Sequence, residues 1–427
     1  MDCNTWKEIR LDEIGKIVTG KTPPTKNSEN FGDRYPFVTP KDMNDDKFIK
    51  KTERYLSEAG LSLLSNQVLN GISICVSCIG SDMGKVVMVD GVCVTNQQIN
   101  SITNIKEDYD PHFIYYSLKT MKEYFHKIAG GSTMPIVNKS KFSEIKIRVP
   151  ELKEQKAIAN MLNILDEKIE LNKEMNKTLE EMAQTIFKRW FVDFEFPNEN
   201  GEPYKSSGGK FVESEQGMIP EGWKAGTLDN LVVINTTSVD PKENPEILYE
   251  HYSIPAFDEQ KYPKFEYGSE IKSNKYLVRP NSFLVSKLNP TTKRVWDPLC
   301  ITENAISSTE FINYLPKDIS YQSYLYCMLN SERFSEHLIK HATGSTGSRQ
   351  RVKPAETLTF NVILPDTETL KKFDNLIRPI REKLKINQIN SAVLKDVRDI
   401  LLPKLMSGEI RVPDAEREVE ECLQKSN

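Results

Sequence analysis

The sequence predicts an α/β (α+β) protein in which two pseudo-repeated globular domains are separated by two long antiparallel coiled-coil helices. Three observations carry this. The chain repeats itself, each copy mixes strand-like and helix-like runs, and each copy ends in a long heptad seam. Trp6-Lys7 with Leu11-Asp12 returns as Trp223-Lys224 with Leu228-Asp229, an offset of about 217. Lys127 to Thr133 returns as Lys340 to Thr346, and Val149-Pro150 as Leu364-Pro365. Glu167-Lys168-Ile169 with Asn172 returns as Glu382-Lys383-Leu384 with Asn387, an offset of 215. Four matches in constant order mean two copies of one domain-plus-helix unit, because a solenoid would repeat every 20–50 residues or so.

The first globular domain is assigned to residues 1–150. Ile72 to Val76 and Val86 to Val89 are short continuous apolar runs, the pattern of buried strands, and Phe113 to Ile128 has helical periodicity. Residues 151–197 form the first long helix and its exit. Ile158, Leu165, Asn172, Leu179 and Ile186 recur every seven residues, and Leu162, Ile169, Asn176, Ala183 and Trp190 form the second row. A helix from Lys153 to Phe191 would be roughly 58 Å long at 1.5 Å per residue. Residues 198–222, rich in Gly, Pro and Ser, are expected to be an exposed connection that tolerates insertion. The second domain is assigned to residues 223–365, with a strand at Ser282 to Ser286 and a helix at Tyr321 to His341.

The second long helix is assigned to residues 366–412, and an acidic tail to residues 413–427. Its rows are Phe373, Ile380, Asn387, Leu394, Leu401 and Ile377, Leu384, Ser391, Arg398, Leu405. Pro379 is expected to kink or delay this helix, since it lacks the amide donor. Asn172 and Asn387 fall at equivalent seam positions, where a polar residue fixes register and partner at a cost in stability. The matching asparagines suggest that the two helices pack on each other. Two domains facing opposite ways then require an antiparallel pair. Such helices can act as a ruler, because successive major-groove faces of DNA lie about 34–36 Å apart.

Composition narrows the function. The 427 residues carry 57 Lys and Arg against 61 Asp and Glu, a net charge of −4, so the chain is not a uniformly basic nucleic-acid binder. Local basic faces remain possible: residues 1–150 are roughly neutral to positive, while acid collects in residues 198–221 and 414–421. No run of about eighteen apolar residues suggests a membrane span. No signal peptide is visible at the N-terminus, and seven scattered cysteines imply no disulfide framework, so a reducing cytoplasm is the expected compartment.

Several motifs hint at catalysis. Gly15 to Thr22 fits GxxxxGK[ST], but Pro23-Pro24 follow at once, where a phosphate-binding loop must open a helix. Cys75, Cys78 and Cys93 lack a second pair or nearby histidines and are expected to pack in the core. His112, His126, His251, His337 and His341 have no metal-ligand spacing. Asp366 at the start of the second long helix is expected to be a cap. The chain therefore shows no catalytic constellation and no metal or cofactor site of its own.

Polar and basic loops remain, in both copies. In the first they are Lys21, Thr22, Lys47, Lys50, Lys51, Arg54, Gln97, Gln98, Ser132, Thr133, Lys139 and Lys141. In the second they are Lys287, Lys293, Arg294, Asn304, Ser345, Thr346, Arg349, Arg351 and Lys353. Lys and Arg neutralise phosphates, while Arg, Gln and Asn can read base edges bidentately. Gly-rich loops with free amides and hydroxyls suit phosphate contact. These residues are the candidate DNA-binding set. The candidate seam is Ile158, Leu162, Leu165, Ile169, Asn172, Leu179, Ile186, Ile380, Leu384, Asn387, Leu394 and Leu401. Two rival functions are a P-loop nucleotide-binding protein and a coiled-coil scaffold that never touches DNA.

The chain resembles the specificity subunit of type I restriction-modification systems. The resemblance lies in Trp6, Gly15 and Thr19 to Pro23, in Pro150 to Gln155 with Ile158 and Leu165-Asp166, and in Ile186 to Phe194. It continues in Ile219 to Trp223 and Leu401 to Ile410, so it spans nearly the whole chain. It implies two target-recognition domains, each reading half of a split site in double-stranded DNA. It also implies helices that set the spacer and dock methyltransferase subunits, two of them in the expected complex, together with a restriction/motor subunit. S-adenosylmethionine, ATP and Mg would belong to those partners, and this chain would be non-catalytic. The second copy lacks the Gly-Lys-Thr-Pro segment, so its half-site contacts are expected to differ from those of the first.

Overall fold

The computed structural model describes residues 6–44, 46–129, 136–344, 350–415, 417 and 419. The chain forms two compact units, and each draws on both ends of the helical region. Unit 1 holds residues 1–169 and 393–427, and unit 2 holds residues 170–392.

Unit 1 is built on two small sheets. A four-stranded antiparallel sheet runs in the order Lys16–Thr19, Ile99–Thr103, Ser73–Ser77, Val86–Val89. Strands Ser73–Ser77 and Val86–Val89 are buried along their whole length, which explains their unbroken apolar pattern. A five-stranded sheet runs in the order Phe31–Gly32, Arg54–Leu56, Tyr35–Val38, Cys93–Thr95, Val68–Leu69. Its one parallel pair places Phe37 opposite Val94. Strand Lys7–Arg10 pairs with Lys146–Val149 and closes the domain just before the long helix.

Unit 2 repeats this plan. Its four-stranded sheet runs Val232–Ile234, Phe311–Pro316, Phe283–Ser286, Val295–Trp296. In the second sheet Leu248–Tyr252 pairs parallel with Ala305–Ser307 and antiparallel with Lys264–Tyr267, as the corresponding strands do in unit 1. Strand Lys224–Thr227 pairs with Asn361–Leu364 as the closing clasp. The α/β class and the duplication are thus both visible in the strand order.

The single helix expected in each domain is a pair of shorter ones. In unit 1 they are Pro111–Lys119 and Lys122–Ile128, and in unit 2 Gln322–Leu329 and Glu332–Lys340. Local side-chain chemistry explains the breaks. Ser331 accepts a hydrogen bond from the Phe334 amide and starts a new helix, while Thr120 Oγ1 turns back to the Ser117 carbonyl.

The long helices span Leu152–Phe191 and Thr367–Ser407. In unit 1, Ile158, Leu162 and Leu165 share a core with Leu394, Leu401 and Leu405, and Ile169 packs against it. In unit 2, Leu384 is buried in the core, and Leu179, Ile186 and Ile380 pack against it half-buried. The contacts run antiparallel. Asn172 Nδ2 donates to Ser391 Oγ at 3.2 Å, and Asn387 Nδ2 donates to Asn176 Oδ1 at 2.8 Å. Asn172 and Asn387 do not pair with each other. Each meets the repeat-equivalent of the other's partner, since Asn176 and Ser391 are also 215 residues apart.

Pro379 does not interrupt the second helix. It lies on the exposed face, where water can take the carbonyl it leaves free, and buried Phe373, Ile377 and Leu384 hold the helix on either side. Residues 198–222 are more ordered than a plain connection. Phe196 stacks on Tyr204 at 4.5 Å and on Trp223 at 4.7 Å, and strands Phe211–Ser214 and Gly217–Pro220 form a hairpin. Gln216 ties this hairpin to the Gly226 and Val362 carbonyls. Of the acidic tail, Ala415 is buried in the unit 1 core, and most of the remainder lies outside the described residues.

Candidate nucleic-acid interface

In unit 1 the turn Asn96–Gln98 joins a strand of one sheet to a strand of the other. The segment Gly20-Lys21-Thr22 lies across it. Gly20 and Lys21 donate their amides to the Ile99 and Thr95 carbonyls at 3.1 and 2.9 Å. These are the donors that a phosphate-binding loop would need, and no helix opens at Lys21. The nucleotide-loop reading therefore fails on geometry. Thr22 Oγ1 donates to Gln97 Oε1 at 2.6 Å. Val137 N donates to the Cys78 carbonyl and Cys78 N to the Gln98 carbonyl, which anchors the chain after residue 135 beside the same turn. Lys139 and Lys141 sit on the short helix Lys139–Ser143, which packs near strand Lys16–Thr19. Lys21, Thr22, Gln97 and Gln98 thus fall in one region, with Lys139 two residues past the anchored Val137, while Lys141 Nζ donates to the Ile128 carbonyl at 3.4 Å. Ser132 and Thr133 lie outside the described residues.

Lys47 departs from the expected surface role. Its Nζ donates to Asn163 Oδ1 and lies 3.5 Å from the Tyr116 hydroxyl, and it sits 4.6 Å from the centre of the Tyr116 ring. Tyr116 in turn donates to Asp166 Oδ2 at 2.6 Å, and Arg398 donates to Asp166 Oδ1 at 2.7 Å. Burial pushes the Lys47 ammonium down to about 8, against the pull of Asp166, Asp110 and Glu167. This ammonium binds the domain to its helix rather than to a ligand. The sequence hid this network because its members are 47 to 398 residues along the chain. The guanidinium of Arg54 stacks on the Phe31 ring at 3.9 Å, while Lys50 and Lys51 are exposed.

In unit 2, strand Ala342–Thr343 pairs antiparallel with Arg351–Val352. Asn289 N donates to the Gln350 carbonyl and Val352 N to the Lys287 carbonyl, which brings Lys287 beside strand Arg351–Val352. Arg351 is held by Glu310 through Nε and Nη2 at 3.0 and 3.2 Å, so a phosphate would have to displace a carboxylate. Lys353 is exposed at the start of helix Pro354–Leu358. Ser345, Thr346 and Arg349 lie outside the described residues.

Arg294 is engaged by Asp258 at 2.6 and 2.8 Å with its side chain largely buried, and Lys293 Nζ donates to the Asn330 carbonyl at 3.1 Å. Arg294 is therefore structural. Asn304 precedes its strand, whereas Gln97 follows the corresponding one, so the two sit at opposite strand ends. The counterpart of the Asn96–Gln98 turn is Ser308–Glu310, which the sequence reading missed. Asp366 caps the second long helix, as expected, and accepts from Trp223 Nε1 at 2.9 Å.

Residues 4–181 match the sequence model of the type I restriction modification DNA specificity domain. The MjaIX specificity subunit of Methanocaldococcus jannaschii is 28% identical over 429 residues, covering 96% of this chain and 94% of that protein. The HindI specificity subunit of Haemophilus influenzae is 35% identical over 187 residues, covering 43% of this chain and 40% of that one. The crystal structure of the S subunit of the type I restriction-modification system of M. genitalium superimposes with a TM-score of 0.58 at 16% identity. That likeness covers 94% of this chain and 96% of that one. The chain is thus similar over nearly its whole length to a type I restriction enzyme specificity subunit, and its first repeat matches the specificity-domain model.

Proposed function

We infer that the chain is the sequence-specific DNA-binding subunit of a type I restriction-modification complex. It recognises a bipartite target and directs the methyltransferase and restriction subunits to it. The observation that carries the reading is the duplication. Two copies of one domain, each followed by a long helix, with a polar layer where the helices meet, suit two half-sites separated by a fixed spacer. The chain supplies recognition, and the chemistry resides in its partners. S-adenosylmethionine, ATP and Mg belong to those subunits, and two methyltransferase subunits match the two repeats. Residues 1–150 and 223–365 are the two target-recognition domains, and the helices between them set the spacer. No helix among the described residues is long and apolar enough to cross a membrane.

The test uses the chain assembled with its methyltransferase subunits on duplexes whose half-sites are separated by different spacers. Binding should peak at one spacer and weaken steeply with salt, by about 0.9 log units per log unit of salt for each phosphate neutralised. Inserting one heptad into each helix at the asparagine layer lengthens the pair by roughly 10 Å. The preferred spacer should then grow by about three base pairs at 3.4 Å each. A spacer preference that does not move removes the ruler, and affinity indifferent to salt leaves only the scaffold.

A further inference from the structure

The Gly-Lys-Thr segment is left without a role once the nucleotide reading fails, and its contacts point to one. Gly20 is pressed so closely on the Asn96–Gln98 turn that a Cβ there would sit 2.2 Å from the Thr95 and Asn96 carbonyl oxygens. Two backbone hydrogen bonds, from Gly20 and Lys21, fix the segment in place. Within the turn, Asn96 and Gln98 satisfy each other. Asn96 Nδ2 donates to Gln98 Oε1 at 2.9 Å, and the Gln98 amide donates to Asn96 Oδ1 at 3.0 Å. Gln97 differs. It is exposed, its side-chain oxygen is tethered by Thr22, and its Nε2 has no partner among the described residues.

A carboxamide whose oxygen is held from behind presents its NH2 outward. Such a donor matches the acceptors of a base edge, namely purine N7, guanine O6 and thymine O4, and is mismatched to the amino groups of cytosine and adenine. We propose that Gln97 reads an acceptor on a major-groove base edge in the half-site bound by unit 1, and that Thr22 is the positioning residue that sets its amide. This rests on the DNA-binding function inferred above and adds to it a residue, a groove and a base chemistry.

The experiment measures binding by the methyltransferase-bound complex to duplex pools in which each half-site is randomised in turn. Gln97→Ala should flatten discrimination at one base pair of one half-site by about 5- to 150-fold. The other half-site should keep its profile, which also shows that the variant is folded. Thr22→Val frees the amide to turn, so a donor-bearing base should become tolerated at that same pair, with about 2- to 12-fold less discrimination. Thr22→Ser should restore the native profile. An unchanged profile for Gln97→Ala overturns the proposal, and so does a loss of affinity spread evenly over all sequences, the behaviour of a phosphate contact. If the native complex itself shows no sequence preference, the DNA-recognition reading falls first and this assignment with it.

Discussion

Asp297→Ala is expected to destabilise unit 2 by about 3–5 kcal/mol, the cost of leaving buried charge unpaired. Asp297 Oδ2 accepts from Arg381 Nε and Nη2 at 2.9 and 2.7 Å, and Lys385 Nζ lies 2.8 Å from Oδ1. The Arg381 and Asp297 side chains are only 6% and 9% exposed, so water cannot replace the lost partner. Arg381 also lies 5.4 Å from the centres of the Phe283 and Tyr326 rings, which hold the guanidinium where it is. With the carboxylate gone, Arg381 and Lys385, one helical turn apart, lose their shared counter-charge. Asp297→Asn keeps an acceptor and should cost less. Denaturant unfolding of the full chain reads the difference, and a loss below about 1 kcal/mol would mean that this pair does not bind the helix to the second domain.

Lys47→Met should change how stability depends on pH. The folded-state pKa of Lys47 is depressed, to about 8 from 10.5. Between those values the unfolded chain binds more protons than the folded one, so the native protein gains stability as pH rises through this window. Below pH 8 the penalty of a charged, half-buried ammonium is present in full, up to about 3 kcal/mol at 1.36 kcal/mol per pKa unit. The methionine variant lacks that penalty, although Asn163 and Tyr116 lose a donor. Its stability relative to the native chain should therefore be greatest below pH 8 and decline by up to about 3 kcal/mol by pH 10.5. A difference that stays constant across this window would place Lys47 in solvent and restore it to the candidate surface set.

The parts of the architecture that were legible in the sequence depend on periodicity. Ile158, Leu162 and Leu165 recur at heptad spacing because they share a core with Leu394, Leu401 and Leu405, and that spacing survives without knowing the partner. Ser73–Ser77 and Val86–Val89 were legible for the same reason, being buried along their length. What escaped depends on partners distant in sequence. Nothing near Arg294 announces Asp258, and nothing near Lys47 announces Asn163. A run of basic residues looks alike whether it faces water or a carboxylate. The asparagine layer was partly visible: both Asn172 and Asn387 stood out, but their partners Ser391 and Asn176 are set by helix stagger, which a single strand of sequence does not encode. The Thr22 to Gln97 bond, 75 residues apart, belongs to the same class.

The most direct measurement is the methylome of a methylation-free host expressing the methyltransferase subunit with and without this chain. A split motif with two half-sites and a fixed spacer is expected, methylated when the chain is present and lost when it is omitted. A motif that persists without the chain, or a soluble complex that methylates no split motif, would contradict its role as the specificity subunit.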